Sequence, residues 1–451
     1  SVTSYNRRFE YLWIMCFTVF IIAHSASRRN TFGIFKNPYK VFESPRRPSL
    51  SLKIMEKKKL PRNVVVFGFV SFFTDISSEM IYPLIPLFLT SVLGVGASFL
   101  GLIEGIAEAT ASVLKTFSGY ISDRVKRRKP LVLLGYGLST LSKPTVGLAT
   151  RWVHVLIARF LDRTGKGIRT SPRDALIAET VDKTSRGKAF GFHRAMDTLG
   201  AVVGPLLAYG LLNIFKGYFP EAKSLRLVFL SAFIPGFIAF VILLLFVTEK
   251  AREKRERRAF LGTLGSMPRH FLAFLFVMGL FALGNSSDTF LILRSRNIGF
   301  NYTQIPLLYM TFNIIYALSA MPLGSLSDKI GRKATIGAGF AVYGLVYLLF
   351  ALLRSPSFLW LLWGLYGIYY GFTEGVGRAF VADLVDESRR GTAYGIYHMV
   401  IGLLLFPASF IAGILWDRIS PSAPFYFGAF MAFLSAVLLL LLAVEKPTGQ
   451  T

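Results

Sequence analysis

The chain has 451 residues, of which 53% are hydrophobic, 15% aromatic and only 17% charged. Soluble domains carry about 25% charged residues, so the composition excludes an ordinary soluble fold and points to a polytopic membrane protein. The formal net charge of +26 would suggest nucleic acid in a soluble chain. Here Lys and Arg sit mostly in short loops between apolar spans, which reads as anchoring to one face of a lipid bilayer, with no nucleic-acid partner. The single cysteine, Cys16, excludes an intrachain disulfide and a Cys-based metal site.

Residues 1–55 are unlike the rest. The apolar stretch from Tyr11 to Ala23 is short of the ~20 residues a spanning helix needs. The segment 28–59 is polar, basic and Pro-containing. We expect 1–55 to be a poorly ordered extension, with Met55 as the natural start. About twelve apolar spans follow, at roughly 63–92, 97–120, 130–150, 152–172, 187–213 and 225–247, then 270–294, 303–326, 333–353, 357–381, 391–415 and 424–444. The basic stretch 249–268 between them, with Lys250, Arg252, Lys254, Arg255, Arg257 and Arg258, reads as a linker joining one half, 56–248, to a second, 269–451. Alternate loops are basic, so both chain ends are expected on the cytoplasmic side of a plasma or inner membrane.

The fourth span carries Arg159, Asp162, Arg163, Lys166, Arg169 and Arg173 three or four residues apart. That spacing puts them on one helix face over roughly 20 Å. Charge facing lipid is expensive, on the order of 2.5–3.5 kcal/mol per residue, so the face is expected to wall a polar cavity.

The halves repeat at a spacing of about 204–205 residues, as duplicated transporter folds do. Gly119-Tyr-Ile-Ser-Asp123-Arg124-Val-Lys-Arg127-Arg128 parallels Gly324-Ser-Leu-Ser-Asp328-Lys-Ile-Gly-Arg332-Lys333, and Arg186-Gly-Lys-Ala-Phe-Gly191 parallels Arg390-Gly-Thr-Ala-Tyr-Gly395. A weaker pair is Ser77-Ser78-Glu79 against Ser286-Ser287-Asp288. At these residues, over about 60–447, the chain resembles the major facilitator superfamily. The family's loop motif G-x-x-x-D-R-x-G-R-(R/K) is matched at Gly119, Asp123, Arg124, Arg127 and Arg128, with Lys126 in place of the inner Gly. Its second copy keeps that Gly as Gly331, beside Gly324, Asp328 and Arg332. The fourth-span motif R-x-x-Q-G-x-G is matched at Arg159 and Gly165, with Asp162 and Arg163 in its middle. The antiporter motif G-x-x-x-G-P stands as Gly200, Gly204 and Pro205, a helix-packing element.

The resemblance implies an all-α membrane protein of twelve transmembrane helices in two pseudo-symmetric six-helix bundles, working by alternating access. The loop Asp and Arg residues can pair with each other and with helix C-terminal carbonyls, forming a cytoplasmic gate; the alternative is topogenic charge alone.

Charged residues within the spans are the candidate substrate and coupling groups. The first half offers Asp75, Glu79, Glu104, Glu108, Arg159, Asp162, Arg163, Lys166 and Asp197; the second offers Asp288, Glu374 and Arg378. Acids and bases roughly balance, so a structural network of mutual pairs stands beside a proton-exchanging role, with Glu79 and Asp75 first. Arg159 is expected to pair with Glu79, Glu104 or Glu108. Asp288 has only Arg294 as a charged neighbour in its own span. His398 is a proton site or a satisfied buried histidine. Tyr82, Tyr369, Tyr370, Phe372, Tyr394 and Tyr397 can stack on an organic substrate or serve as packing.

Gly165-Lys166-Gly167 does not meet the phosphate-loop pattern, and neither metal-ligand spacing nor a hydrolase signature is found. No enzyme activity, cofactor or metal is expected. The sequence points to a secondary transporter of a small organic solute, acting as a proton-coupled exporter and as a monomer. The alternatives are an organic-anion or phosphate-ester carrier using the cationic fourth span, and a non-transporting membrane sensor or scaffold.

Overall fold

The apolar spans fold as helices joined by short turns. The computed structural model describes residues 60–124, 127–182, 185–249, 267–386 and 389–442, with the backbone alone at 116, 120, 123 and 124. The extension 1–55, almost all of the basic linker and the side chains of Asp123 and Arg124 lie outside the described residues. The first half contains α1 (Arg62–Val92), α2 (Ala97–Arg124), α3 (Lys129–Gly147), α4 (Trp152–Glu179), α5 (Arg186–Phe215) and α6 (Glu221–Phe246). The second contains α7 (Arg269–Asn297), α8 (Ile305–Ile330), α9 (Arg332–Leu352), α10 (Leu359–Leu384), α11 (Arg390–Arg418) and α12 (Ala423–Leu441). These are the two six-helix bundles that the repeat implies.

Nine of these helices are long and apolar enough to cross a membrane. The other three, α3, α4 and α10, carry the polar and tyrosine-rich inner walls. Helix α4 runs on to Glu179, about two turns beyond the apolar span, and its last turns carry Arg173, Asp174 and Glu179.

Both bundles have a broken first helix. In α1 the regular helix ends at Ile81, where Pro83 and Pro86 each withhold a backbone N–H; a 3-10 turn, Tyr82–Leu84, and a wider turn, Phe88–Val92, follow. In α7 the helix stops at Gly284 and resumes at Thr289. Glu79 stands just before the first break and Asp288 at the second, so the weak sequence match between them marks equivalent places in the fold. Broken helices of this kind expose backbone and side chains to an internal cavity.

The halves meet along two seams, α2 against α11 and α5 against α8. We call the end that carries the 125–128 and 180–185 loops the basic face, and the other end the far face. At the far face Asp417, in the last turn of α11, accepts hydrogen bonds from the Ala97 N–H (3.0 Å), the Ser98 N–H (2.8 Å) and the Ser98 hydroxyl (2.7 Å). It therefore caps α2 from the opposite half. Arg296 and Glu221 approach to 3.7 Å across the same face.

Candidate functional site

Helices α1, α3 and α4 line a cavity of about 40 Å³, through Asp75, Ser78, Glu79, Ile81, Tyr82, Lys143, Arg159, Asp162, Arg163, Lys166 and Arg169. Five of the six charged residues of the α4 face reach it. The sixth, Arg173, turns to its neighbour Asp174 at 2.8 Å.

Most of these charges are paired. Arg159 grips Glu104 of α2 with two bonds, Nε–Oε1 at 2.8 Å and Nη2–Oε2 at 2.5 Å. Glu104 is fully buried and Arg159 is 3% exposed, and such a fork-to-carboxylate contact is the strong form of ion pair. Arg159 also lies 3.6 Å from Asp162, and its guanidinium sits 5.5 Å from the Tyr82 ring. Asp162 is held by Lys143 of α3 at 2.8 Å. Arg163 meets Glu108 at 2.8 Å. Arg169 donates to Ser139 and stacks on Tyr136 at 4.4 Å. Of the three acids expected within reach of Arg159, the structure therefore selects Glu104. Glu108 goes to the next turn of α4, and Glu79 pairs with neither.

Four charged groups at the cavity have no ion pair among the described residues: Asp75, Glu79, Lys166 and Arg169, the last of which has Ser139 and Tyr136 as its partners. The Glu79 Oε2 atom is buried with no hydrogen-bond partner, as is the Nε of Arg163. Lys166 is exposed toward the cavity. Asp197 of α5 approaches His193 at 3.5 Å, and its Oδ1 is buried without a partner.

The glycine motif of α5 lies directly behind the two unpaired acids. A Cβ at Gly200 would stand 2.6 Å from the Phe72 carbonyl and 2.9 Å from the Asp75 Cβ. One at Gly204 would stand 2.8 Å from the Ile76 carbonyl and 3.0 Å from the Glu79 Cβ. No side chain fits in either place, so α5 packs on the backbone of α1. Pro205 continues the same helix.

In the second half Asp288 does not pair with Arg294, which donates instead to the Phe350 and Ala351 carbonyls and to Asn297. The nearest donors to Asp288 are tyrosines: its Oδ1 accepts from Tyr366 at 2.6 Å and from Tyr370 at 3.5 Å. Tyr366 and Tyr370 are one turn apart on α10, a spacing that the sequence displays. They belong to an aromatic wall with Phe312 and Tyr309, and Tyr309 reaches Tyr82 of the first half at 5.3 Å. Glu374 pairs with Arg378 at 2.9 Å and also accepts from Tyr316, whose hydroxyl in turn accepts from Arg194 at 3.1 Å. This chain crosses the α5–α8 seam. Tyr316 carries no motif; an i, i+4 acid–base pair gives no sign of a third member on another helix. His398 lies against Tyr397 at 5.3 Å with no hydrogen-bond partner among the described residues.

The basic face shows the loop motifs. Arg128 pairs with Glu179 at 2.8 Å, and its N–H and that of Lys129 bond Glu249 at 2.7 and 2.8 Å. Arg332 pairs with Asp328 at 2.8 Å and with Asp383 at 3.1 Å. Gly331 turns the chain with φ +93°, a left-handed backbone that suits glycine. Gly119 and Gly324 face α4 loosely and open space respectively. Arg127 is exposed.

The arrangement matches known proteins. The family model of the Major Facilitator Superfamily matches residues 67–295 and 270–451. An uncharacterised MFS-type transporter of Methanocaldococcus jannaschii is 41% identical over 389 residues, covering 85% of this chain and 95% of the relative. The cis,cis-muconate transport protein of Acinetobacter baylyi is 24% identical over 341 residues, covering 68% of this chain and 77% of that protein. Among solved structures, a bacterial homologue of the human lysosomal transporter Spinster, inward-facing and unoccupied, superposes with a TM-score of 0.66 at 16% identity, covering 84% of this chain and 94% of the other. The chain belongs to the major facilitator superfamily, and is thus a multi-pass membrane transporter of small molecules and not an enzyme.

Proposed function

We propose that the protein exports a small organic solute in exchange for protons, with Asp75 and Glu79 as the groups that load and release them. One observation carries this: among eleven residues lining the cavity, these are the acids without a basic partner, and Glu79 Oε2 is buried with no donor. A buried carboxylate oxygen without a donor is costly as an anion. A proton resolves that, and the nearby cations of α4 give a means of expelling it when the halves rock. The paired acids Glu104, Glu108 and Asp162 hold the bundle together. The antiporter-like motif Gly200–Pro205, which presses α5 against the backbone behind both acids, supports exchange as the mode.

In this reading the basic face is cytoplasmic, the membrane is the plasma or inner membrane, and the protein works as a monomer. The pairs at Arg128 and Arg332 are the gate of that face. A second reading, an organic-anion carrier, is favoured by Lys166, whose ammonium faces the cavity unpaired. The muconate carried by one relative is an anion of that class.

Flux in proteoliposomes with internal pH recorded tests the proposal. Solute movement should acidify or alkalinise the lumen in wild type, and Glu79→Gln should abolish proton movement while leaving solute binding intact. Full proton-coupled transport in Glu79→Gln would remove Glu79 and move the role to Asp75 or Glu108. Folded protein with no solute flux would favour the sensor reading. For orientation, single cysteines at Arg127 and Arg255 in a Cys16→Ser background should resist an impermeant thiol reagent outside intact cells; labelling of either overturns it.

A further inference from the structure

Beside Asp75 and Glu79, the two acids assigned above to proton exchange, each half carries a further unpaired charge, positive in the first and negative in the second. On the first half, Lys166 makes no ion pair and its ammonium no hydrogen bond among the described residues, and it faces the cavity. One turn away on α4, Arg163 keeps a buried Nε without a partner. On the second half, Asp288 makes no ion pair. Its Oδ1 is held by Tyr366 and Tyr370, and its Oδ2 makes no hydrogen bond among the described residues. Between the two poles runs an aromatic path. Tyr82 lines the Lys166 cavity and touches Tyr309, which continues through Phe312 to the tyrosines at Asp288.

Each pole fits a different chemical group. An ammonium at Asp288 would meet a carboxylate oxygen and two phenol oxygens, which can accept while they donate to Oδ1. Tyrosine rings add attraction for a cation. A carboxylate suits a free ammonium and an unsatisfied guanidinium N–H. An aromatic path between them suits an apolar or planar body. We infer that the substrate is a zwitterion: a small amino acid-like molecule whose carboxylate faces Lys166 and Arg163 and whose ammonium faces Asp288. This rests on the transport reading and narrows its anion form, since a carboxylate alone would leave Asp288 unused.

The test is binding to the purified full-length chain, read by calorimetry and by thermal stabilisation. Three probes of matched size are used: 4-(aminomethyl)benzoate, 4-methylbenzoate and 4-methylbenzylamine. The zwitterion should bind about 10- to 100-fold more tightly than either singly charged probe, the usual worth of one charged hydrogen-bonding contact. Asp288→Asn should erase its advantage over 4-methylbenzoate, and Lys166→Met its advantage over 4-methylbenzylamine. Equal binding of 4-methylbenzoate and the zwitterion would overturn the inference in favour of a simple anion carrier. Failure of all three probes to bind overturns it too, as does an advantage that survives Asp288→Asn. If Asp288→Asn does not fold, the three-probe comparison in wild type decides alone. Because binding is read without flux, zwitterion binding without proton movement would defeat the exchange proposal and leave this one standing.

Discussion

The first bundle satisfies its interior with ions and the second with hydroxyls. At and behind the cavity of α1, α3 and α4, Glu104, Asp162 and Glu108 each take a cation from α3 or α4. In the second bundle the acid at the place equivalent to Glu79 is held by tyrosines, and its ion pair Glu374–Arg378 is about half exposed. The helix packing differs as well. Gly200 lets α5 lie on the backbone of α1, whereas Leu404 stands at the matching place in α11 and leans 3.2 Å from where Gly279 of α7 would carry a Cβ. Duplication thus kept the topology while the two halves diverged in how they handle polarity. An ion network resists any change that removes one member. Hydroxyls on rings give way more easily, because a phenol is satisfied by several partners.

Several substitutions break or sharpen that contrast. The largest effect is expected at Arg159→Ala, which leaves Glu104 buried and unpaired. Losing one partner of such a pair costs about 3–5 kcal/mol, so the melting temperature in detergent should fall steeply. Replacing both with methionine, Arg159→Met with Glu104→Met, should recover most of the loss; failure to recover would mean that the pair does more than neutralise itself. Next comes Tyr366→Phe, which removes one charged hydrogen bond to Asp288. About 1.5–3 kcal/mol is at stake, read in the same melt, and a drop as large as that of Arg159→Ala would erase the distinction between the bundles. Gly200→Ala forces a methyl against the Phe72 carbonyl and should lose about 1–3 kcal/mol. Leu404→Ala, its counterpart, should act instead as a cavity mutation with a deficit that a smaller neighbour cannot worsen. The smallest effect is expected at Glu374→Gln. Its partner Arg378 is 47% exposed, and pairs of that kind are worth about 1 kcal/mol or less. A large destabilisation there would show that Tyr316 and Arg194 make the seam a single unit.

Much of this was legible before the fold. Nine of the spans follow from apolar length, and the halves and the repeat from the paired loop motifs. The α4 face was readable as a cavity wall because spacing at three and four residues has only one geometric meaning. Pairing was less legible. Glu79, Glu104 and Glu108 all lie within reach of an α4 arginine by span, and the choice of Glu104 depends on the rotation and depth of α2, which no spacing reports. The tyrosine partners of Asp288 come from a helix some eighty residues on. The role of Asp417 did leave a trace: an acid in the last turn of a helix opposes the helix dipole, so it needs a donor from elsewhere, and α2 supplies it.

That cap of α2 by Asp417 has a consequence for how the protein moves. A seam held by apolar area must tear, exposing oily surface all at once. Here α2 and α11 pack closely along their length, with no room for a Cβ at Gly101, Gly105 or Gly413, and three hydrogen bonds at the rim add to that packing, where water can take over each partner as it is released. Every such exchange is nearly even, a net of about 0.5–3 kcal/mol per bond. The rim bonds can thus exchange with water one at a time, while the close-packed seam beneath them parts or holds as a unit.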